Sequence, residues 1–333
     1  MEAGQTPGLR NRAVSEIEGE MTREHAIEQA GWPASGARQE RVVVRQWSPH
    51  WFPYALLAPS LLLLLTFLVL PFLYLFYWST FDYKIGVTNE FTGLENFRSL
   101  LGEERFRNNV KYTLIYVIGN LLISVPVAYF GALLVTAGMR GSGLLRTFLL
   151  IPWVLAPIVT ALMAKTLLNP YDGPVIDVIA FFNGGEKIYP TTTANGAMIV
   201  LVAHAAWRSF PLIMLLLAAG MSSIDPQVYE AAQVDGAGRW QQFRRITLPL
   251  TRAPLLAGVG AIAVFSLHDA EGAFGLTGGG PGTATEVMGV RILKEAFQSG
   301  NIGRGAAIGV ALVVVSVAFL AALALLLGRD RTR

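Results

Sequence analysis

The sequence contains no cysteine, so disulfides and thiolate metal sites are excluded, and the redox state of its compartment leaves no mark on it. Charge is also scarce. Only 15% of the 333 residues are Asp, Glu, Lys or Arg against 53% hydrophobic, far from the balance of an ordinary soluble domain. A secretory signal would place a short apolar stretch near the start, but about fifty polar residues come first, so no cleavage is expected. The glycine run Thr277-Gly278-Gly279-Gly280-Pro281-Gly282 lacks the Lys-Ser or Lys-Thr pair of a phosphate loop. No nucleotide site is therefore expected in the chain itself, and no feature points to nucleic acid.

What the sequence does have is long apolar runs. They lie at Phe52–Trp78, Tyr112–Ala137, Thr147–Leu168, Gly196–Gly220, Leu255–Leu276 and Ala306–Leu327. A helix needs roughly 20 mostly apolar residues to cross about 30 Å of hydrocarbon, and each run meets that length. None alternates with period two as barrel strands do. The expected fold is an all-α membrane protein with about six transmembrane helices.

Three regions are expected: a polar tail over residues 1–50, a six-helix domain over 51–328, and a basic tail over 329–333. The first tail mixes seven Glu with six Arg and has few large apolar residues, so it reads as mostly disordered, with room for a short surface helix at Met21–Ala30. Loop Lys and Arg set orientation. With the amino terminus inside, the inner loops and tails hold fifteen of them, including Arg146, Arg239, Arg244, Arg245 and Arg252, and the outer loops hold nine. That bias places both termini in the cytoplasm.

Among the loops, Phe81–Val110 reads as a small external cap, and Asn169, Pro170, Asp172, Gly173 and Pro174 form a cluster of turn formers that ends the third span. The stretch 221–252 is the most informative. Asp225 can cap a helix that starts at Pro226, Gly236 can end it in the left-handed conformation, and a second short helix carrying Trp240 and Phe243 runs to a break at Pro249. The unit presents small Ala231 and Ala232 beside Glu230 and Asp235, which suits either a docking knob or a plain polar hairpin.

Charged groups inside spans are costly and usually face a cavity or a partner. Arg208 lies near the middle of the fourth span, three residues before Pro211, where a break is possible; His268, Asp269 and Glu271 lie in the outer half of the fifth. Carboxylates accept hydrogen bonds from sugar hydroxyls, so these four residues are candidates for a substrate pathway. The alternative is that Asp269 or Glu271 neutralises Arg208 or Lys165. His204 and His268 have no ligand-spaced partners, which argues against a metal site.

The run Glu230-Ala231-Ala232, Asp235-Gly236-Ala237, Ile246, Leu248 and Pro249 resembles the "EAA" loop of inner-membrane permease subunits of bacterial ABC importers. Phe91–Leu101 resembles the external segment of sugar permeases, and Ile151-Pro152-Trp153 with Pro157 resembles their third span. Thr277–Gly282, Thr285-Glu286 and Ala296-Phe297 are similar to the subunit type of the larger maltose-system permease.

That resemblance implies a multi-pass protein of the bacterial cytoplasmic (inner) membrane, importing a di- or oligosaccharide or a related carbohydrate. It also implies a second permease subunit, two cytoplasmic ATPase subunits that hold ATP and Mg, and an extracytoplasmic sugar-binding protein. The contact with the ATPase would be made by Tyr229, Glu230, Ala231, Ala232, Asp235, Gly236 and Ala237. A rival reading is a proton-coupled secondary transporter relaying protons through Asp269 and Glu271, but it lacks visible inverted repeats. An intramembrane enzyme using His268 and Asp269 lacks a convincing nucleophile beyond Ser266.

Overall fold

The computed structural model describes residues 51–138 and 141–328; the expectations for the polar tail, the basic tail and Arg140 lie outside them. The chain divides into two units, Met1–Leu62 and Leu63–Arg333. The described part of the first consists of the opening turns of α1 (Phe52–Leu64).

In the second unit a π-helical turn (Leu65–Val69) leads into α2 (Leu70–Ser79), followed by a hairpin of β1 (Phe81–Lys84) and β2 (Thr88–Phe91). The strands pair antiparallel in the register Phe81 with Phe91. Next come α3 (Glu95–Gly102), α4 (Glu104–Thr136), α5 (Ser142–Val154), α6 (Pro157–Leu167), α7 (Pro174–Phe182) and α8 (Ala194–Ser222). The rest comprises α9 (Pro226–Val234), α10 (Arg239–Gln242), a π-helical turn (Phe243–Thr247), α11 (Leu248–Leu250), α12 (Arg252–Leu267), α13 (Glu271–Thr277), α14 (Met288–Leu293), a third π-helical turn (Lys294–Gln298) and α15 (Ile302–Gly328).

Four helices are long and apolar enough to cross a membrane unbroken: Tyr54–Ser79, Glu104–Thr136, Ala194–Ser222 and Ile302–Leu326. Counting each of two bent pairs as one span brings the number to six, Ser142–Val154 with Pro157–Leu167 at 95° and Arg239–Leu250 with Arg252–Leu267 at 66°. The expected continuous third span is thus two half-helices. Pro157 has no N–H to continue the ladder and forces the residue before it out of the helical region, and Leu155 and Ala156 are extended accordingly, with ψ of 142° and 137°.

The fifth span is also interrupted. Its helix ends at Leu267, and α13 begins only at Glu271. The expected break at Pro249 is displaced as well, because the helical run passes through Pro249 to Leu250 and bends at Thr251. The π-helical turn just before this proline rearranges the hydrogen-bond ladder, with Leu248 N donating to Phe243 O, so the missing N–H is absorbed. Around Pro211 the possible break does not occur, and α8 runs through it.

The core is the contact of α4 with α8, flanked by α12. Small residues allow it, as membrane helices without a hydrophobic drive require. A methyl group on Gly119 would meet Val202 Cγ1 at 2.9 Å, one on Gly131 would meet Met214 Sδ at 2.8 Å, and one on Gly220 would meet Pro254 Cγ at 2.5 Å. Asn120 fastens the three helices, donating from Nδ2 to Ser266 Oγ at 2.7 Å and accepting at Oδ1 from Ser209 Oγ at 2.8 Å.

Candidate functional site

Three polar regions stand out: the elbow around α9, a charged cluster inside the helical core, and an ion-pair network at the hairpin end. In the elbow, local chemistry closes both ends of a nine-residue helix. Asp225 Oδ1 accepts from Gln227 N at 2.9 Å, and Pro226 fills the first helical position, where an N–H has no partner to lose. At the other end Gly236 adopts a φ of 77°, and Ala237 N donates to Ala232 O at 2.8 Å. Gln242 Nε2 also donates to Ala237 O at 2.8 Å, and this ties α10 back onto the corner.

This well-capped helix buries none of its residues. Glu230, Ala231, Asp235 and Gly236 are exposed, while Tyr229, Ala232 and Ala237 are half-buried, and Val234 is 89% exposed. A cleft of about 840 Å³ separates α9 from the ends of α4 and α8, lined in part by Leu133, Met221, Tyr229, Phe243 and Thr247. Among the described residues, Glu230, Asp235, Arg239, Arg244 and Arg245 make no ion pair.

Inside the core the structure brings Arg208 and Asp269 together and leaves the other two pathway candidates apart. Asp269 is buried at the break of the fifth span, where Oδ2 accepts from Tyr116 OH at 2.6 Å and lies 3.5 Å from Arg208 Nη2. Its other oxygen accepts from Gly272 N at 2.9 Å and so starts α13. The carboxylate is thus held by protein groups on α4, α8 and α13, the arrangement that the neutralising alternative expects. His268 and Glu271 are exposed, and the His268 ring lies 2.9 Å from Val264 O. Lys165 is exposed in the last turn of α6.

The hairpin-end network was not visible in the sequence. Glu286, fully buried, takes Arg105 through Nε at 2.9 Å and Nη2 at 2.8 Å, Lys294 at 2.9 Å, and Asn109 Nδ2 at 3.1 Å. Burial alone would raise its carboxyl pKa, but hydrogen bonds from Arg105, Lys294 and Asn109 outweigh it and hold the group at about 2. Buried Arg291 donates to Asn109 Oδ1 at 3.1 Å, Glu103 Oε2 at 2.8 Å and Glu295 Oε1 at 3.1 Å. Arg304 also reaches Glu103, and against the cost of burial the two arginines lower the Glu103 pKa.

Over residues 99–331 the chain matches the family described as "Binding-protein-dependent transport system inner membrane component". The sn-glycerol-3-phosphate transport system permease protein UgpA of Agrobacterium fabrum is 31% identical over 271 residues, covering 81% of this chain and 92% of the relative. The trehalose/maltose transport system permease protein MalF of Thermococcus litoralis is 28% identical over 80% of this chain and 90% of the relative. A solved bacterial ABC transporter involved in import of the acidic polysaccharide alginate aligns with a TM-score of 0.69 and 25% identity, over 85% of this chain and 96% of that one. The alginate transporter solved with an alginate pentasaccharide-bound periplasmic protein aligns with a TM-score of 0.68, also at 25% identity, over 81% of this chain and 91% of that one.

Proposed function

Since this chain belongs to the family of inner membrane components of binding-protein-dependent transport systems, which are transport permeases and not enzymes, we propose that it is one half of the translocation path of an ATP-driven carbohydrate importer. The observation that carries this reading is the elbow. A helix capped at both ends, without a buried residue, presents Glu230 at the rim of an open cleft and Asp235 at its far end, neither with an ion pair among the described residues. A partner's groove supplies the burial that α9 lacks within its own chain, and the ATPase subunit is that partner. The contact is made by Tyr229, Glu230, Ala231, Ala232, Asp235, Gly236 and Ala237.

In this reading both termini and α9 face the cytoplasm, and the hairpin end faces the extracytoplasmic binding protein. A second permease completes the path, and ATP and Mg stay with two ATPase subunits. Transport needs only two states that nucleotide stabilises unequally. The relatives carry sn-glycerol-3-phosphate, trehalose and maltose, or alginate, so the substrate class proposed is a carbohydrate or polyol phosphate. The residues 221–252 act as the coupling loop. Arg208 and Asp269 act in the pathway by holding its wall together, and His268 and Glu271 are the pair left free to meet solute.

The test is uptake of labelled glycerol 3-phosphate, trehalose, maltose and alginate oligosaccharide into proteoliposomes holding the full assembly. Glu230→Lys and Asp235→Lys release the ATPase subunits and abolish ATP-dependent uptake while leaving the thermal unfolding of the permease unchanged. Transport by the isolated chain, driven by a proton gradient and indifferent to both reversals, would replace this reading with a secondary transporter.

A further inference from the structure

We infer that Tyr229 is the strut through which movement of α9 reaches α4, acting through Thr247 and Thr251; this rests on the coupling role proposed for α9. Tyr229 OH lies 3.0 Å from Thr247 Oγ1, in the π-helical turn Phe243–Thr247. Thr251 Oγ1 donates to Thr247 O at 2.7 Å, which leaves Tyr129 OH on α4 as the donor to Thr251 Oγ1 at 3.1 Å. Phe243 reinforces the same path, with its ring edge-to-face against Tyr129 at 5.7 Å.

Three features make this line of contacts a transmission path. Among the described residues, the Tyr229 hydroxyl bond is the one side-chain hydrogen bond that links α9 to another element, and it is made at the edge of an open cleft. Thr247 and Thr251 are buried, and the Tyr129–Thr251 bond is shielded from water, while the Tyr229–Thr247 bond stands at the edge of the cleft. The path also passes through a π-helical turn next to a 66° bend, a ladder already rearranged and so able to change its pairing without breaking a regular helix. Tyr229 is a positioning residue: it touches no nucleotide and no solute, and fixes where α4 lies for a given position of α9.

The absence of cysteine allows spin labels to be placed uniquely. Labels at Phe130→Cys on α4 and Val317→Cys on α15, both exposed, report the distance between these helices in the assembled transporter, with and without MgATP and vanadate. In the parent, nucleotide shifts this distance. In Tyr229→Phe and Thr247→Val the shifted population falls about two- to tenfold, the effect of one neutral hydrogen bond on a two-state balance, and in Thr247→Val, which lies outside the proposed contact, the ATPase subunits remain bound. Thr247→Ser, which keeps the hydroxyl, restores the shift. An equal shift in all variants overturns the strut, as does dissociation of the ATPase from Thr247→Val. No shift in the parent overturns the coupling role itself.

Discussion

The two ends of the second unit handle charge in opposite ways. At the hairpin end Lys84, Arg105, Lys187, Arg291, Lys294 and Arg304 each reach a carboxylate of the same chain. At the α9 end Arg239, Arg244 and Arg245, and the acids Glu230 and Asp235, reach none among the described residues. The first end pairs these six within the chain, with Arg107 and Lys111 the exposed exceptions among the described residues. The second leaves its charges without an ion pair among the described residues, which suits the coupling role proposed for α9.

The sharpest break in this contrast is Glu286→Ala. It strands Arg105, Lys294 and Asn109 around a vacated carboxylate, and removing one partner of a buried pair costs about 3–5 kcal/mol; thermal unfolding in lipid nanodiscs measures it. The same group carries a pH signature. Its folded pKa of about 2 lies below the ordinary 4.5, so its contribution is complete above about 4.5 and is lost as pH falls toward 2. The parent is therefore expected to lose more stability across that window than Glu286→Ala does, and equal acid slopes would refute the assignment.

A smaller loss is expected from Gly303→Ala. The added methyl meets Phe81 O and lies 2.9 Å from Tyr83 N, so α15 must back away from β1. Overpacking of this kind costs about 1–3 kcal/mol, read from the same unfolding curves. The smallest effect belongs to the α9 end, where Asp225→Ala removes a cap worth about 1 kcal/mol. Because α9 buries none of its residues, its amides should exchange faster while the unfolding temperature stays within error. A large drop in that temperature would mean that α9 is part of the permease core.

The spans were legible because a run of apolar residues long enough to cross lipid has few other uses, and the elbow was legible because Asp225, Pro226 and Gly236 act on their immediate neighbours. What stayed hidden was long-range. Glu286 meets Arg105 and Asn109 across about 180 positions, and no local pattern announces that pairing. Tyr116 likewise gave no sign of its bond to Asp269. Pro157 was noted in the third span, but the sequence did not say whether the helix would bend there or be interrupted. The apolar α7 was missed too, although Pro174 followed by Val175, Ile176, Val178 and Ile179 carried a usable signal.

The interrupted third and fifth spans meet at Gly275, where a methyl group would lie 2.7 Å from Ile158 Cδ1 and 3.0 Å from Ala161 Cβ. So close an approach joins α6 and α13 side by side, each linked to its own inner half by a short non-helical joint. In mechanical terms the two are one plate on two hinges, not two independent rods. Neither can tilt or rotate without carrying the other, which leaves that part of the wall a single way to swing.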